Sequence, residues 1–129
     1  MRTFIACLLL LSFTVAANSN KDVVVKNWLH LVDTGKVDKS WQVAAPLFKQ
    51  QVSAEKWQHL VSLTRGPLGE LKQRELREAS EYTSLPNVPD GQYYVAQFNA
   101  TYQNKREAIE TVTLMKTDGE WKVAGYFVR

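Results

Sequence analysis

The sequence predicts an α+β domain in which helices from the first half pack on an antiparallel sheet formed by the second half. In the first half, apolar residues recur at three- and four-residue spacings, as they do on one face of a helix. From residue 92 onward they alternate with their neighbours at the two-residue period of a strand. Asp118-Gly119 lies between two strand-like runs and is a strong hairpin signal.

Residues 1–17 have the features of a cleavable signal peptide. Arg2 supplies a positive start, an apolar run follows, and Val15-Ala16-Ala17 fits the small-residue rule for cleavage. We therefore expect an exported protein, periplasmic or secreted, with no stable membrane anchor after cleavage. Residues 18–129 then form a single domain. Cys7 is the only cysteine and leaves with the leader, so no thiol remains for catalysis or metal binding.

Three helices are expected between the leader and the sheet. The first covers residues 22–34 and the second covers 38–50, where Pro46 should kink or split it. The third begins at the N-cap Ser53 and ends at Gly66-Pro67. Their expected inward faces carry Val24, Trp28, Leu31 and Val32, then Trp41, Ala44, Ala45 and Phe48, then Trp57, Leu60, Val61 and Thr64.

Three strands follow from the alternation in the second half. They cover residues 92–104, 107–117 and 120–128, and the last two are joined by the Asp118-Gly119 turn. On the first of these strands one face should carry Tyr94, Ala96, Phe98, Ala100 and Tyr102, and on the last strand Trp121, Val123, Gly125 and Phe127 should share a face.

Residues 70–81 give conflicting signals. Opposite charges four residues apart, Glu70 with Arg74 and Arg74 with Glu78, favour a helix. The apolar residues of the segment do not form a helical stripe. Local propensity alone selects a helix here.

The order and spacing of several Trp, Gly and Pro residues resemble a bacterial family known as domain of unknown function 4019. The likeness covers nearly all of residues 26–129. It is carried by Trp28-Leu29, Val32-Asp33, Ser40-Trp41, Val52-Ser53, Trp57, Arg65-Gly66-Pro67-Leu68-Gly69, Arg74, Leu85-Pro86, Pro89-Asp90-Gly91, Tyr93, Phe98, Glu110-Thr111-Val112 and Trp121-Lys122-Val123-Ala124-Gly125-Tyr126.

The order of elements is also similar to the nuclear transport factor two-like (cystatin-like) fold, a cone in which helices cap a strongly curved sheet. The resemblance implies three helices packed on a curved four-stranded antiparallel sheet. It also implies that residues 71–83 form the first strand, against their helical propensity. It supplies no biochemical activity to carry over.

Glu110 is the most distinctive polar residue of the predicted sheet. It shares strand parity with Val112 and Leu114, so a carboxylate lies on the expected inward face. A buried carboxylate needs a partner, and Arg74 can hold it through two parallel hydrogen bonds. A structural ion pair is the favoured interpretation. A ligand-reading or acid–base role, and simple exposure to solvent, are the alternatives.

The candidate ligand-binding residues are Trp41, Trp57, Arg74, Tyr93 and Glu110. The indoles would line an apolar cavity, and a strand tyrosine would place a hydroxyl in it, although core packing explains such aromatic residues equally well. We find no catalytic signature, metal-ligand pattern or cofactor motif in the sequence.

The sequence therefore favours an exported, non-catalytic domain that binds a small apolar ligand or an envelope protein. A small excess of basic residues, without a basic stripe, gives no indication of nucleic-acid binding. The resemblance implies a possible homodimer formed through the outer face of the sheet. The alternatives are an isomerase- or hydratase-like enzyme that uses Glu110 with a pocket tyrosine, and an envelope inhibitor or accessory protein.

Overall fold

The computed structural model describes residues 20–129, in which four helices precede four strands. The elements are α1 (Asn20–Asp33), α2 (Val37–Gln42), α3 (Pro46–Gln51), α4 (Ala54–Arg65), β1 (Leu71–Tyr82), β2 (Tyr93–Tyr102), β3 (Lys105–Thr117) and β4 (Glu120–Val128). The strands form one antiparallel sheet in the order β1-β2-β3-β4. The α+β class is therefore confirmed. The expected signal peptide, residues 1–17, lies outside the described residues.

The helix count differs from the prediction, because the expected second helix is two helices. Pro46 occupies the first turn of α3, and Ala45 before it is extended, with φ −63° and ψ 150°. A proline disfavours helical geometry in the residue that precedes it, so the chain turns here and α3 begins anew. Four helices rather than three therefore precede the sheet in residues 20–129.

Strand β1 is extended, as the family resemblance implies and against its local helical propensity. It pairs with β2 from Leu71 opposite Tyr102 to Tyr82 opposite Tyr93. This long ladder pairs the backbone groups of β1 that face β2 and places the segment's inward side chains against the core, which outweighs the small gain from charge pairs on a helix.

A bulge in β4 changes which of its side chains face the helices. Thr113 lies opposite Gly125 and Leu114 lies opposite Val123, so Ala124 is an extra residue. Beyond the bulge, Tyr126 shares the parity of inward-facing Val112, its partner on β3. Phe127 points outward and is 54% exposed, so the predicted shared face of Trp121, Val123, Gly125 and Phe127 is wrong.

The helices are joined in the core through Ser40 of α2, which is fully buried. The indole of Trp28 donates to the Ser40 carbonyl at 2.9 Å, and the indole of Trp57 donates to its hydroxyl at 3.0 Å. Trp28 and Trp57 thus satisfy their N–H groups while their rings pack 5.9 Å apart. The buried face of α1 is centred on Val25 and Leu29 together with the predicted Trp28 and Val32.

Candidate functional site

Two carboxylates and two arginines meet where the helices approach the sheet. Asp33 is the last residue of α1, Arg65 is the last of α4, Arg74 lies on β1 and Glu110 lies on β3. We call these four residues the ion cluster. All four side chains are largely buried, with Glu110 at 0% exposed and the others between 12% and 16%.

The guanidinium of Arg74 binds the Glu110 carboxylate through two parallel hydrogen bonds. Its Nε donates to Glu110 Oε1 at 2.7 Å, and its Nη2 donates to Oε2 at 3.1 Å. Strand parity brings the two side chains to the same face of the sheet. The structure therefore contains the ion pair that the sequence predicts, in the bidentate geometry that makes arginine–carboxylate pairs strong.

Asp33 completes the cluster from the end of α1. Arg74 donates to both of its oxygens, at 2.7 Å from Nη1 and at 3.0 Å from Nη2. Arg65 adds a third bond, from Nη2 to Asp33 Oδ1 at 2.8 Å. Arg74 is therefore hydrogen-bonded to two carboxylates. The cluster contains two positive and two negative charges.

Sequence reasoning assigned no role to Asp33. One signal was available. An acidic residue in the last turn of a helix meets the negative end of the helix dipole, which is unfavourable unless cations lie nearby. Arg65 and Arg74 supply those cations.

Two tyrosines border the cluster. The Tyr126 hydroxyl donates to Glu110 Oε2 at 2.5 Å, and burial together with the charge of Glu110 raises the pKa of that hydroxyl well above its ordinary value. The guanidinium of Arg65 lies over the Tyr102 ring, 4.8 Å from its centroid. Burial and the Glu110 charge raise the pKa of Tyr102 to about 12. Both tyrosines therefore remain neutral at physiological pH.

The pKa directions show that the cluster holds its charges. Burial by itself would raise the pKa of Asp33, but hydrogen bonds and charges from Arg74 and Arg65 outweigh it and lower that pKa. Burial would likewise lower the pKa of Arg74, and its two carboxylate partners raise it instead. Hydrogen bonds to the charged forms decide the balance in both residues.

Glu110 has little capacity left for chemistry. Its Oε1 accepts from Arg74, and its Oε2 accepts from both Arg74 and Tyr126. A general base must reach a substrate proton with a free lone pair. A fully buried carboxylate with three donors is instead typical of a structural ion pair.

The other candidate residues are dispersed. The ring of Trp57 meets Tyr126 edge-on at 6.2 Å, which places it beside the ion cluster. Trp41 donates its indole N–H to the Val52 carbonyl at 2.8 Å, away from the cluster. Tyr93 lies on the other face of the sheet, where its hydroxyl donates to Pro89. The five predicted residues therefore do not form one site.

A groove of about 560 Å³ opens between α1 and β1, and we call it the α1–β1 groove. The ion cluster closes one end of it through Asp33 and Arg74. Its lining is Asp22, Val23, Val25, Lys26, Leu29, His30, Asp33, Arg74, Leu76, Ala96 and Phe98. Sequence reasoning missed this groove, because its walls come from a helix and a strand far apart in the chain.

Residues 20–129 contain neither a cluster of metal-ligating side chains nor a membrane-spanning helix. No group of three or more His, Cys, Asp or Glu side chains within that range is arranged to hold a metal ion. Over the same part of the chain, no helix is both long and apolar enough to span a membrane.

A family model described as protein of unknown function, DUF4019, matches residues 24–126. The chain belongs to the DUF4019 family. A comparison with curated proteins finds no match. The range matched by the DUF4019 model contains the whole ion cluster, and its last residue is Tyr126, the hydroxyl partner of Glu110.

Proposed function

We propose that this DUF4019 chain is an exported, non-catalytic domain that binds a small apolar ligand in the α1–β1 groove. Export is supported by the expected leader at residues 1–17. The nuclear transport factor two-like fold remains a prediction of the resemblance, supported by the arrangement of helices over one face of a bulged antiparallel sheet.

The observation that carries the proposal is the exposure of Leu76. This residue lies opposite Phe98, on the sheet face that packs against the helices. Phe98 is 8% exposed, yet Leu76 is 57% exposed. An inward-facing leucine that no helix covers forms an apolar wall open to solvent. The volume of the groove is within the range of small-molecule sites.

The polar end of the groove suits a neutral hydrogen-bonding group. Arg74 uses Nε, Nη2 and one N–H of Nη1 in its bonds to Asp33 and Glu110. Geometry leaves the second N–H of Nη1 as a donor and Asp33 Oδ2 as an acceptor with a further lone pair. Because the two charges cancel, this end favours a hydroxyl, amine or amide over an ion.

The hydrogen bonds that Glu110 already accepts within the protein argue for ligand binding rather than catalysis. The enzyme alternative requires this carboxylate to face a substrate together with a tyrosine hydroxyl. In the structure its nearest tyrosine, Tyr126, donates to it, and Arg74 occupies the remaining approach. We therefore assign the ion cluster to positioning α1, α4 and the sheet around the groove.

Binding can be tested with N-phenyl-1-naphthylamine, a neutral apolar dye with one N–H that becomes fluorescent in apolar sites. We expect saturable binding to the exported protein. Leu76→Glu should weaken it by about tenfold or more, because a charge would lie against the apolar body of the dye. Since Leu76 is exposed, the free energy of unfolding should change by no more than about 0.5 kcal/mol.

Leu63→Glu is the matched control. Leu63 is 61% exposed on α4, outside the groove, and the substitution is chemically identical. This variant should bind the dye as the parent protein does. Equal affinities for the Leu76→Glu variant and the parent, or equal losses in the two variants, would refute the proposed site.

A further inference from the structure

The free edge of β4 presents backbone groups in a short, regular array. Ile109 and Arg129 exchange both of their backbone hydrogen bonds. Because such pairs alternate along an antiparallel ladder, Phe127 also bonds to β3, while Tyr126 and Val128 direct their N–H and C=O groups away from it. No backbone hydrogen bond from these outward groups occurs within residues 20–129.

This array is complementary to itself. In an antiparallel pair of β4 edges centred on Phe127, Tyr126 of one copy lies opposite Val128 of the other. Each such pair exchanges two hydrogen bonds, so all the outward groups of Tyr126 and Val128 are used. The two Phe127 side chains meet directly on the outer face, where each is 54% exposed in the single chain.

Charge does not oppose this pairing. Residues 123–128 contain no charged side chain. In the same register, Arg129 of one copy lies opposite Gly125 of the other, which leaves room for the arginine side chain. β1, the other edge of the sheet, instead carries charges along most of its length, as edges that avoid pairing do.

Gly125 itself supports an intermolecular contact. Its φ angle is not in the left-handed region, and a Cβ at this position would meet Thr113 at an ordinary 3.8 Å. The single chain therefore does not require glycine here, although glycine weakens a strand. In the proposed register, the side chain of the second copy's Arg129 lies over this position, where a larger residue than glycine would obstruct it.

The helical layer is compatible with the same axis. α4 lies beside the end of β4, since Leu60, Phe127 and Val128 line one cleft. Leu60 and Leu63 of α4 are 37% and 61% exposed. A two-fold axis at Phe127 brings the two copies of α4 toward each other and offers those leucines a surface to cover.

We propose that two copies of this chain pair through their β4 edges, about a two-fold axis at Phe127, into one continuous sheet. The contact is isologous, because the same segment serves both copies and the assembly closes at two. It is independent of the α1–β1 groove, which lies at the opposite edge of the sheet. Failure of either proposal leaves the other intact.

The first test measures the mass of the exported protein by sedimentation equilibrium over a range of concentrations. The parent protein should have the mass of two chains, and Phe127→Glu, which places like charges opposite each other, should have the mass of one. Tyr82→Glu is the control, because Tyr82 is 44% exposed on the distant β1 edge, and it should remain dimeric. A monomeric parent, or a Phe127→Glu variant that remains dimeric, overturns the proposal.

The second test fixes the register and does not depend on weak association. In the proposed pair the Phe127 positions are directly opposite without exchanging hydrogen bonds, so their Cα atoms are about 4.5 Å apart, within disulfide reach. In the exported protein, which lacks Cys7 after cleavage of the expected leader, Phe127→Cys should form a covalent dimer under mild oxidation and Tyr82→Cys should not. Equal cross-linking of the two variants, or none at Phe127→Cys, contradicts the register.

Discussion

At the scale of single residues, Glu110 and Arg74 explain how a charged group is tolerated in the core. A carboxylate that loses its water must regain equivalent hydrogen bonds, or burial is strongly unfavourable. Glu110 regains three, from Arg74 Nε, Arg74 Nη2 and the Tyr126 hydroxyl. Asp33 and Arg65 add one further charge of each sign, so the cluster as a whole is neutral.

Glu110→Gln tests this arrangement. The amide keeps the shape of the carboxylate but turns one acceptor into a donor, which faces the donors of Arg74, and it leaves the cluster with one excess positive charge. We expect the free energy of unfolding, measured by urea denaturation, to fall by about 1–3 kcal/mol.

The matched control for this substitution is Glu78→Gln on β1, where the side chain is exposed. It should change the free energy of unfolding by less than about 0.5 kcal/mol. Equal stability of the Glu110→Gln variant and the parent would show that the buried pair contributes nothing net to folding.

Part of the ion cluster is readable from the sequence, and the reason is strand parity. A two-residue period places Glu110 among inward-facing apolar residues, which demands a cation. The contribution of Asp33 is not readable in this way, because it depends on where the last turn of α1 meets β1 in space. The role of Arg65 is not readable from the sequence for the same reason, because its partners come from three elements, α1, β2 and β4.

At the scale of elements, helix α4 shows how local chemistry defines a boundary. Ser53 precedes the helix in an extended conformation, and its side chain accepts the Lys56 backbone N–H at 3.1 Å. This bond satisfies one of the N–H groups that the first turn of a helix leaves without a partner. The start of α4 was therefore predictable from local sequence, through the N-cap Ser53.

Ser53→Ala should reduce the free energy of unfolding by about 1 kcal/mol, because the cap is lost. Ser62→Ala provides the comparison within the same helix. Ser62 is exposed in the interior of α4, where alanine is the better helix former, so this change should stabilise the protein by about 0.5 kcal/mol. Thermal denaturation should show a lower melting temperature for Ser53→Ala and a higher one for Ser62→Ala. Shifts in the same direction for both variants would contradict the capping role of Ser53.

Two features of the sheet depend on non-local pairing and do not follow from local sequence rules. β1 has the charge spacing of a helix, and only its ladder with β2 makes it a strand. The β4 bulge at Ala124 reverses the faces of the residues that follow it. Strict alternation cannot reveal an inserted residue, so Gly125 and Phe127 were placed on the wrong face. By contrast, the Asp118-Gly119 hairpin is local, and both residues have the positive φ that its turn requires.

At the scale of the whole molecule, the ion cluster links the ends of α1 and α4 to the sheet. Asp33 joins the end of α1 to α4 through Arg65 and to the sheet through Arg74. Domains of this size are stable by only about 5–15 kcal/mol, so one such junction is a substantial fraction of the total. The protonation of Asp33 should therefore be visible in the pH dependence of the free energy of unfolding.

The pKa of Asp33 is lower in the folded chain than its ordinary value of 3.8. As the pH falls, the unfolded chain therefore takes up this proton first, so the stabilisation is complete above about pH 5 and is lost at lower pH. Asp33→Asn should be less stable at neutral pH, and its free energy of unfolding should fall less steeply between about pH 5 and pH 3. Urea denaturation across that range measures both effects. If the free energy of unfolding of Asp33→Asn runs parallel to that of the parent protein over this pH range, the charge of Asp33 does not hold these elements together.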